Sequence, residues 1–251
     1  MNFTELHQQN NPLLIANVWD IPSTKIAEEL GFQAIGTSSA AIASLFGYND
    51  GEDISFSELE YMVKRIRATT QLPLSVDIES GYSDDTDTIA NNIIKLVNLG
   101  IVGINIEDSK VNEKRELINA EKFAQQLLEI KTILKAENKD VFINVRTDTF
   151  LLGVPNVIDE TKKRIDLYTK VGANGIFVPC IENSEDIQEI VNYTRLPINV
   201  MCMPNLPDFE ILKNLGVKRI SMGNFLFDKM YQNFKELEND VLINKSFKSI
   251  F

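Results

Sequence analysis

Residues 96–108 read LVNLGIVGINIED, and this stretch decides the fold. Its amphipathic first half ends at Gly100, where glycine supplies the left-handed conformation that closes a helix. The apolar run that follows is continuous rather than alternating, which is the pattern of a buried parallel strand. The same shape recurs in EELGFQAIGTSS (28–39), TKVGANGIFVPC (169–180) and LKNLGVKRISMGN (212–224). Repeated helix-to-strand units of this kind predict a parallel sheet covered by helices.

Eight short apolar segments are spaced along the chain and are the predicted strands. They span residues 13–17, 34–37, 74–77, 103–106, 142–146, 175–178, 198–200 and 219–221. Eight β/α units in 251 residues is the size of a TIM-type barrel. A doubly wound open sheet is the alternative, but no G-x-G-x-x-G follows the first strand. We therefore expect a single α/β domain over residues 1–251, a (β/α)8 TIM-type barrel with a helical tail over about 225–251.

The chain carries 25 basic and 36 acidic side chains, a net charge of −11. This balance argues against nucleic acid or a membrane surface as a partner, because both need a basic face. No apolar run approaches the ~18 residues of a spanning helix, and the first residues show no signal-peptide pattern. Two cysteines are too few for a disulfide framework. We expect a cytoplasmic protein.

A single histidine, His7, restricts the chemistry that the chain can perform. A Ser-His-Asp triad, a Cys-His pair and a multi-histidine zinc site are all nearly excluded. Any catalysis must come from carboxylates, arginine, lysine, hydroxyls, backbone amides or a metal held by oxygen.

Three acids lie at the carboxyl ends of neighbouring predicted strands, where a barrel of this kind has its active site. Asp77 and Glu79 are two residues apart and point the same way in an extended segment, and Glu107 ends the next strand. Oxygen donors without histidine or cysteine suit a hard cation such as Mg²⁺ or Mn²⁺. The alternative is that acids at strand ends cap the next helix, which is the simpler interpretation for residues 84–87.

Other polar residues at strand ends are candidates for substrate binding. Arg146 ends an otherwise apolar strand and needs a bidentate carboxylate partner, either a substrate or one of the acids above. Ser38 and Ser39 offer hydroxyls and backbone amides to a substrate carboxylate, although serine also caps helices. Asn199, on the seventh strand, is a further candidate.

Three segments together strongly resemble the phosphoenolpyruvate mutase/isocitrate lyase superfamily: VDIESGYSDD (76–85), GINIEDS (103–109) and VRTDTFLLG (145–153). The likeness extends over nearly the whole chain through NVWD (17–20), GTSSA (36–40), FGYND (46–50) and GIFVP (175–179). The resemblance implies a β/α barrel that binds Mg²⁺ and a small 2-oxo or 2-hydroxy carboxylate. It also implies a homodimer or homotetramer that exchanges a C-terminal helix between subunits.

The resemblance also implies roles for individual residues. Asp77 matches the direct metal ligand, and Glu79 and Glu107 match ligands that act mostly through bound waters. Ser38 and Ser39 match the stretch that holds the substrate carboxylate.

Two further roles follow from the same resemblance. Arg146 matches the arginine on the substrate's carboxylate or bridging oxygen, and Asp50 matches an acidic residue near the reacting group. Metal, arginine and amides together would stabilise a developing enolate without histidine.

Segment 109–117, SKVNEKREL, departs from the family pattern. Isocitrate and methylisocitrate lyases carry a Lys-Lys/Arg-Cys-Gly-His stretch here, and the mutases carry a longer loop with a Lys-Thr-Asn-like motif. The mutases' histidine after strand six is Pro179 in this chain. We therefore predict no isocitrate or methylisocitrate cleavage. We also predict that the segment is too short to carry a family-type lid residue deep into the barrel mouth. Lys110 and Lys114 are its candidate cations, with simple solvation as the alternative.

Three functions are compatible with these observations. The first is Mg²⁺-dependent C–C lyase or decarboxylase chemistry on a small 2-oxo or 2-hydroxy carboxylate. The second is P–C bond chemistry, as in a phosphonomutase or a phosphonopyruvate hydrolase. The third is a barrel that binds a keto acid without turnover.

Overall fold

Nine parallel strands form one sheet in the computed structural model, which describes residues 2–251. A separate antiparallel hairpin, β6–β7, follows the fifth strand. In chain order the strands are β1 (Leu13–Leu14), β2 (Ala16–Val18), β3 (Ile35–Thr37), β4 (Leu74–Asp77), β5 (Gly103–Glu107), β6 (Ser109–Val111), β7 (Arg115–Leu117), β8 (Phe142–Arg146), β9 (Gly175–Phe177), β10 (Ile198–Met201) and β11 (Arg219–Ser221).

The sheet closes into a barrel at the segment that holds β1 and β2. The strand order is β1-β11-β10-β9-β8-β5-β4-β3-β2, so its two ends are separated only by Ile15. The N–H of Ile15 donates to Ile220 O (2.9 Å), and the N–H of Ala16 donates to Ala34 O (3.4 Å). The predicted single strand 13–17 is therefore wrong in detail, because the stagger of a barrel makes its first half pair with β11 and its second half with β3. The predicted TIM-type barrel is confirmed.

The helices of the described residues are α1 (Phe3–Leu6), α2 (Ile21–Glu29), α3 (Ser39–Leu45), α4 (Phe56–Arg67), α5 (Thr86–Asn98), α6 (Ala120–Ala136), α7 (Val157–Lys170), α8 (Ser184–Tyr193), α9 (Phe209–Leu215) and α10 (Phe225–Asn244). Helices α2 to α9 cover the outside of the sheet. Asp85 caps α5 by accepting from the N–H of Thr88, as the simpler interpretation of these acids predicts, whereas Asp84 pairs with Lys110. Among residues 2–251, no helix combines the length and the apolar character needed to cross a membrane.

The amino end of the barrel is plugged by α1 and the residue after it. Phe3 enters the barrel over Gly103, where a Cβ would lie 2.7 Å from the Phe3 ring. His7 is buried and stacks on Phe142 with ring centroids 4.3 Å apart. Burial lowers the pKa of His7 to about 4, with Arg219 adding to the effect. The lone histidine is therefore a neutral packing residue at the end of the barrel that is opposite the strand carboxyl ends.

Candidate metal and substrate site

Asp77 lies at the carboxyl end of β4, in the mouth of the barrel. The Ser39 hydroxyl donates to its Oδ2 (3.0 Å), and the backbone N–H of Glu79 donates to its Oδ1 (3.3 Å). The N–H of Asp77 donates in turn to Thr37 Oγ1 at the end of β3 (2.9 Å). Burial raises the pKa of Asp77, and the charge of Arg146 opposes that rise. Two neighbouring strand ends thus hold this carboxyl group in one orientation.

Glu79 follows β4 in a left-handed backbone conformation, with φ at 49°, which is uncommon for a residue other than glycine. The Tyr82 hydroxyl donates to its Oε1 (3.1 Å), while its buried Oε2 has no hydrogen-bond partner among residues 2–251. Burial, together with the charges of Asp50 and Asp77, raises the pKa of Glu79 to about 9. A buried acid with a free oxygen and acidic neighbours is stabilised by a cation.

Glu107 ends β5, and its backbone N–H donates to Glu79 O (2.8 Å). Its Oε2 lies 3.1 Å from Arg146 Nη1 as an ion pair, but without the geometry of a hydrogen bond. Burial raises the pKa of Glu107 to about 7, although Arg146 opposes the effect. The structure therefore brings Asp77, Glu79 and Glu107 to the same side of the mouth.

The three acids fit a divalent cation that is held largely through water. No three carboxylate, imidazole or thiol groups in residues 2–251 are grouped closely enough to ligate one ion directly. Mg²⁺ usually keeps several waters and binds through one or two carboxylates. The Oε2 atoms of Glu79 and Glu107 have the acceptor capacity that such waters need. The donor set suits Asp77 as a direct ligand, with the two glutamates acting through water.

Arg146 ends β8 and forms a fork with Asp148, which the sequence analysis did not select. Its Nε donates to Asp148 Oδ1 (2.6 Å) and its Nη2 donates to Asp148 Oδ2 (3.2 Å). The guanidinium also lies over the ring of Phe177, with 5.9 Å to the centroid. The alternative that Arg146 pairs with protein acids is thus correct in part, through Asp148 and Glu107. Asp148 follows Arg146 by two residues, the same spacing as between Asp77 and Glu79. This spacing is the feature of the sequence that could have identified Asp148 as a site residue.

Asp108 supports this site from behind and is completely buried. Its Oδ1 accepts from the N–H of Asp148 (3.0 Å). Its Oδ2 accepts from Arg164 Nη1 (2.8 Å) and from the Tyr168 hydroxyl (2.7 Å), both on α7. Helix α7 is therefore tied through Asp108 to the segment that presents Asp148 to Arg146.

We expect Asp108→Ala to lower the free energy of unfolding by about 3–5 kcal/mol, because it leaves Arg164 Nη1 and the buried Tyr168 hydroxyl without their acceptor, while Glu160 still pairs with Arg164 Nε (2.8 Å). Asp166→Ala is the matched control on the same helix, since Asp166 accepts only from the exposed Tyr193 (2.7 Å). Urea unfolding followed by circular dichroism measures both changes. Equal effects of the two substitutions would contradict a structural role for Asp108.

Arg115, on the short hairpin β6–β7, reaches into the barrel mouth. Its Nη1 pairs with Glu107 and donates to Ser109 Oγ (3.0 Å), and it lies 3.3 Å from Asp148 Oδ2. Its Nη2 lies 3.3 Å from Asp50 Oδ2. Sequence reasoning missed this residue.

Segment 109–117 lacks the family-type lid residues, yet it is long enough to bring Arg115 to the mouth, which was not predicted. The hairpin pairs Val111 with Arg115 and Ser109 with Leu117, so β7 returns to its base directly over the strand ends. From there the long arginine side chain spans the remaining distance. Lys110 is also not simply solvated, since it pairs with Asp84.

The remaining predicted residues lie at different depths. Ser38 Oγ accepts from the N–H of Ala41 (3.4 Å) and caps α3, so the capping alternative holds for its hydroxyl. Asp50 lies on the loop after α3 with 45% of its side chain exposed. Asn199 is buried in the barrel interior, where it accepts from Asn144 Nδ2 (3.1 Å) and donates to Ser221 Oγ (3.1 Å). Of these residues, only Asn199 lies below the mouth.

Comparison with known sequences agrees with this geometry. The family model described as phosphoenolpyruvate phosphomutase matches residues 3–242. An uncharacterized protein from Mycobacterium tuberculosis is 35% identical over 224 residues, which cover 89% of this chain and 82% of the relative. An oxaloacetate decarboxylase from Pseudomonas entomophila is 28% identical over 232 residues, covering 88% and 77% of the two chains.

Solved structures share the fold over nearly the whole length. A Burkholderia cenocepacia protein described as "a putative phosphonomutase" superposes with a TM-score of 0.89 at 31% identity, covering 94% of this chain and 97% of that one. Oxaloacetate acetylhydrolase in complex with oxalate has a TM-score of 0.87 at 17% identity over 98% and 87% of the two chains, a likeness of fold alone. The match over residues 3–242 shows that the chain belongs to the phosphoenolpyruvate phosphomutase family, within the phosphoenolpyruvate mutase/isocitrate lyase superfamily.

Proposed function

We propose that the chain is a Mg²⁺- or Mn²⁺-dependent enzyme that acts on a small 2-oxo or 2-hydroxy carboxylate as a C–C lyase or decarboxylase. The observation that carries this proposal is the cluster of Asp77, Glu79 and Glu107 beside the guanidinium of Arg146, in which the buried Glu79 Oε2 has no hydrogen-bond partner among residues 2–251. A bound cation would supply the positive charge that stabilises a developing enolate. Members of the family are enzymes, and the relatives include oxaloacetate decarboxylases.

In this proposal Asp77 holds the cation and Arg146 binds the substrate. Arg146 is oriented by its fork with Asp148, so its remaining N–H groups are presented to a carboxylate or enolate oxygen at little entropic cost. Ser39, which donates its hydroxyl to Asp77, is proposed to lie next to the substrate carboxylate. Ser38 stays a predicted substrate residue, although its backbone N–H donates to Val18 O (3.0 Å) and its hydroxyl caps α3.

Asp50 and Asn199 take less direct parts. Asp50 faces the mouth from an exposed loop, where Arg115 keeps it near the reacting group. Asn199 stays a predicted substrate residue. Because it accepts a hydrogen bond from Asn144 Nδ2, we propose that it acts indirectly, by holding Asn144 in place below the site. The hairpin supplies Arg115 but no histidine or cysteine, and we propose that solvent donates the proton to the enolate.

The test of this function is release of pyruvate from oxaloacetate. We expect decarboxylation with Mg²⁺ or Mn²⁺ that is lost in EDTA and restored by added metal, measured with a coupled lactate dehydrogenase assay against the metal-only rate. We expect no glyoxylate from isocitrate and no cleavage of methylisocitrate, because the hairpin has no cysteine or histidine to protonate their leaving groups. Robust cleavage of either tricarboxylate would show that the short hairpin suffices and would contradict the exclusion of these two substrates.

P–C bond chemistry is the second candidate. The likeness to "a putative phosphonomutase" at 31% identity favours it, and the guanidinium groups of Arg115 and Arg146 suit a phosphonate as well as a carboxylate. Conversion of phosphonopyruvate, followed by phosphorus NMR, would select this function over decarboxylation. A keto acid that binds with metal but is never turned over would instead indicate a barrel that only binds its ligand.

We also propose a homodimer or homotetramer that exchanges the C-terminal helix. Helix α10 leaves large apolar side chains in solvent, with only Phe227 buried. An apolar groove of about 240 Å³ lies between α2 and the start of α10 and is lined by residues such as Trp19, Ile26 and Met230. Exposed apolar surface of this extent requires a partner surface.

We also propose a cytoplasmic location, because the two cysteines, Cys180 and Cys202, are free thiols.

Light scattering tests the oligomer. We expect a dimer or tetramer at micromolar concentration, and a shift toward monomer in Phe234→Glu/Leu237→Glu, because the two residues are 54% and 42% exposed on α10. Lys235→Glu, on the same helix, is the matched control. A monomeric wild type that is unchanged when residues 245–251 are deleted would contradict the proposal.

A further inference from the structure

The loop between α3 and α4 carries Asp50 over the barrel mouth, and Glu52 fastens it there. Glu52 has a left-handed backbone, with φ at 68°, and a half-buried side chain. Its Oε1 accepts from Ser80 N–H (3.0 Å), Ser80 Oγ–H (2.8 Å) and Tyr82 N–H (2.8 Å). Hydrogen bonds to a charged carboxylate are stronger than hydrogen bonds between neutral groups. One carboxylate oxygen therefore ties the loop to the turn that follows β4.

That turn is the one that positions Glu79. Tyr82 also has a left-handed backbone, with φ at 62°, and its hydroxyl donates to Glu79 Oε1 (3.1 Å). Such conformations are strained at residues other than glycine, and they persist only where surrounding contacts impose them. In the turn 79–82 those contacts include the three bonds to Glu52, together with Asn92 Nδ2 on Gly81 O (3.2 Å) and the N–H of Glu107 on Glu79 O (2.8 Å). Its effect thus passes through Tyr82 to a proposed metal ligand.

The same loop is held from its other side by the hairpin. Gly51 has φ at 109°, and a Cβ there would lie 2.8 Å from Val111 Cβ. Arg115 contacts Asp50 across the same gap. Because Glu52 anchors one edge of the loop and β6–β7 the other, the position of Asp50 depends on both.

We propose that Glu52 is a positioning residue of the site: it orients Glu79 toward the divalent cation through Tyr82, and it holds Asp50 over the mouth. This inference rests on the proposed function, because it presupposes the metal site. A loop anchor without this role would stabilise the fold and leave metal affinity unchanged.

Metal affinity distinguishes the two roles without any assay of activity. We expect Glu52→Ala to bind Mn²⁺ about 10–100-fold more weakly than wild type, the usual effect of removing a residue that orients a ligand. Glu52→Gln keeps an oxygen acceptor for the three donors, and we expect it to restore affinity to within about threefold of wild type. Asp53→Ala is the matched control, because the exposed Asp53 accepts only from Asn49 (3.1 Å). The Mn²⁺ affinity of the wild type and of these three variants is measured from the electron paramagnetic resonance signal of free Mn²⁺.

Wild-type affinity in a folded Glu52→Ala protein would overturn the inference and leave the proposed function standing. A wild type that binds no Mn²⁺ would overturn both. If Glu52→Ala does not fold, Tyr82→Phe decides, since it removes only the hydroxyl on Glu79. Weaker Mn²⁺ binding by Tyr82→Phe supports an effect of Glu52 on Glu79 through the Tyr82 hydroxyl, and unchanged binding refutes it.

Discussion

Asp77→Ala is expected to abolish metal-dependent ligand binding and to lower kcat/KM by about a thousandfold or more. The loss of a cation that contributes several kcal/mol to the transition state corresponds to roughly that factor. Asp77 is central because it alone of the three acids ends a strand with hydrogen bonds to both oxygens. The variant should fold, because removing one acid from a group of buried acids relieves repulsion.

Isothermal titration with oxalate, with and without Mg²⁺, measures this effect without requiring turnover. Asp84→Ala is the control, since Asp84 follows the same strand but is 95% exposed. Metal-dependent oxalate binding at wild-type strength in Asp77→Ala would remove the basis of the proposed metal site.

Arg146→Met is expected to lower kcat/KM by about 10²–10³-fold, the range seen when one preorganised donor to a developing oxyanion is removed. Arg146→Lys keeps the charge but cannot reproduce the fork on Asp148, so we expect it to recover only part of the loss. The methionine variant also leaves Glu107 and Asp148 short of a partner, which costs about 3–5 kcal/mol of stability.

Activity and stability must therefore be measured together. Arg195→Met, at an exposed arginine, is the control for both. Steady-state kinetics at a temperature where every variant is folded, as shown by circular dichroism, gives the catalytic effect alone. A methionine variant with wild-type kcat/KM under those conditions would show that Arg146 only neutralises Glu107 and Asp148.

The position of the acids follows from local rules that operate along the chain. A continuous apolar run after a glycine-ended helix is a buried parallel strand, and the carboxyl ends of such strands share one edge. Asp77 and Glu107 end β4 and β5 in the structure as the sequence predicts. The motif resemblance extended this to the family, which the comparisons confirm.

Partners from distant parts of the chain could not be predicted in the same way. Arg115 contacts Asp50 from 65 positions away, and Ser109 reaches Asp148 across 39. Asp108 is adjacent to Glu107, yet it faces Arg164 and Tyr168 on α7 rather than the mouth. Sequence spacing does not encode which strands become neighbours or how far a hairpin folds back.

The sequence by itself determined the barrel, most of the strand positions in its sheet, the three acids after β4 and β5 and the scarcity of histidine, because each depends on residue type and on contacts within one strand or helix. Only the tertiary structure decided that Arg115 enters the mouth, that Asp148 orients Arg146, that Asn199 lies in the interior and that Glu52 joins two loops. The physical reason is that these contacts require the barrel to close, since closure alone brings β4, β5, β8 and the hairpin to a common rim.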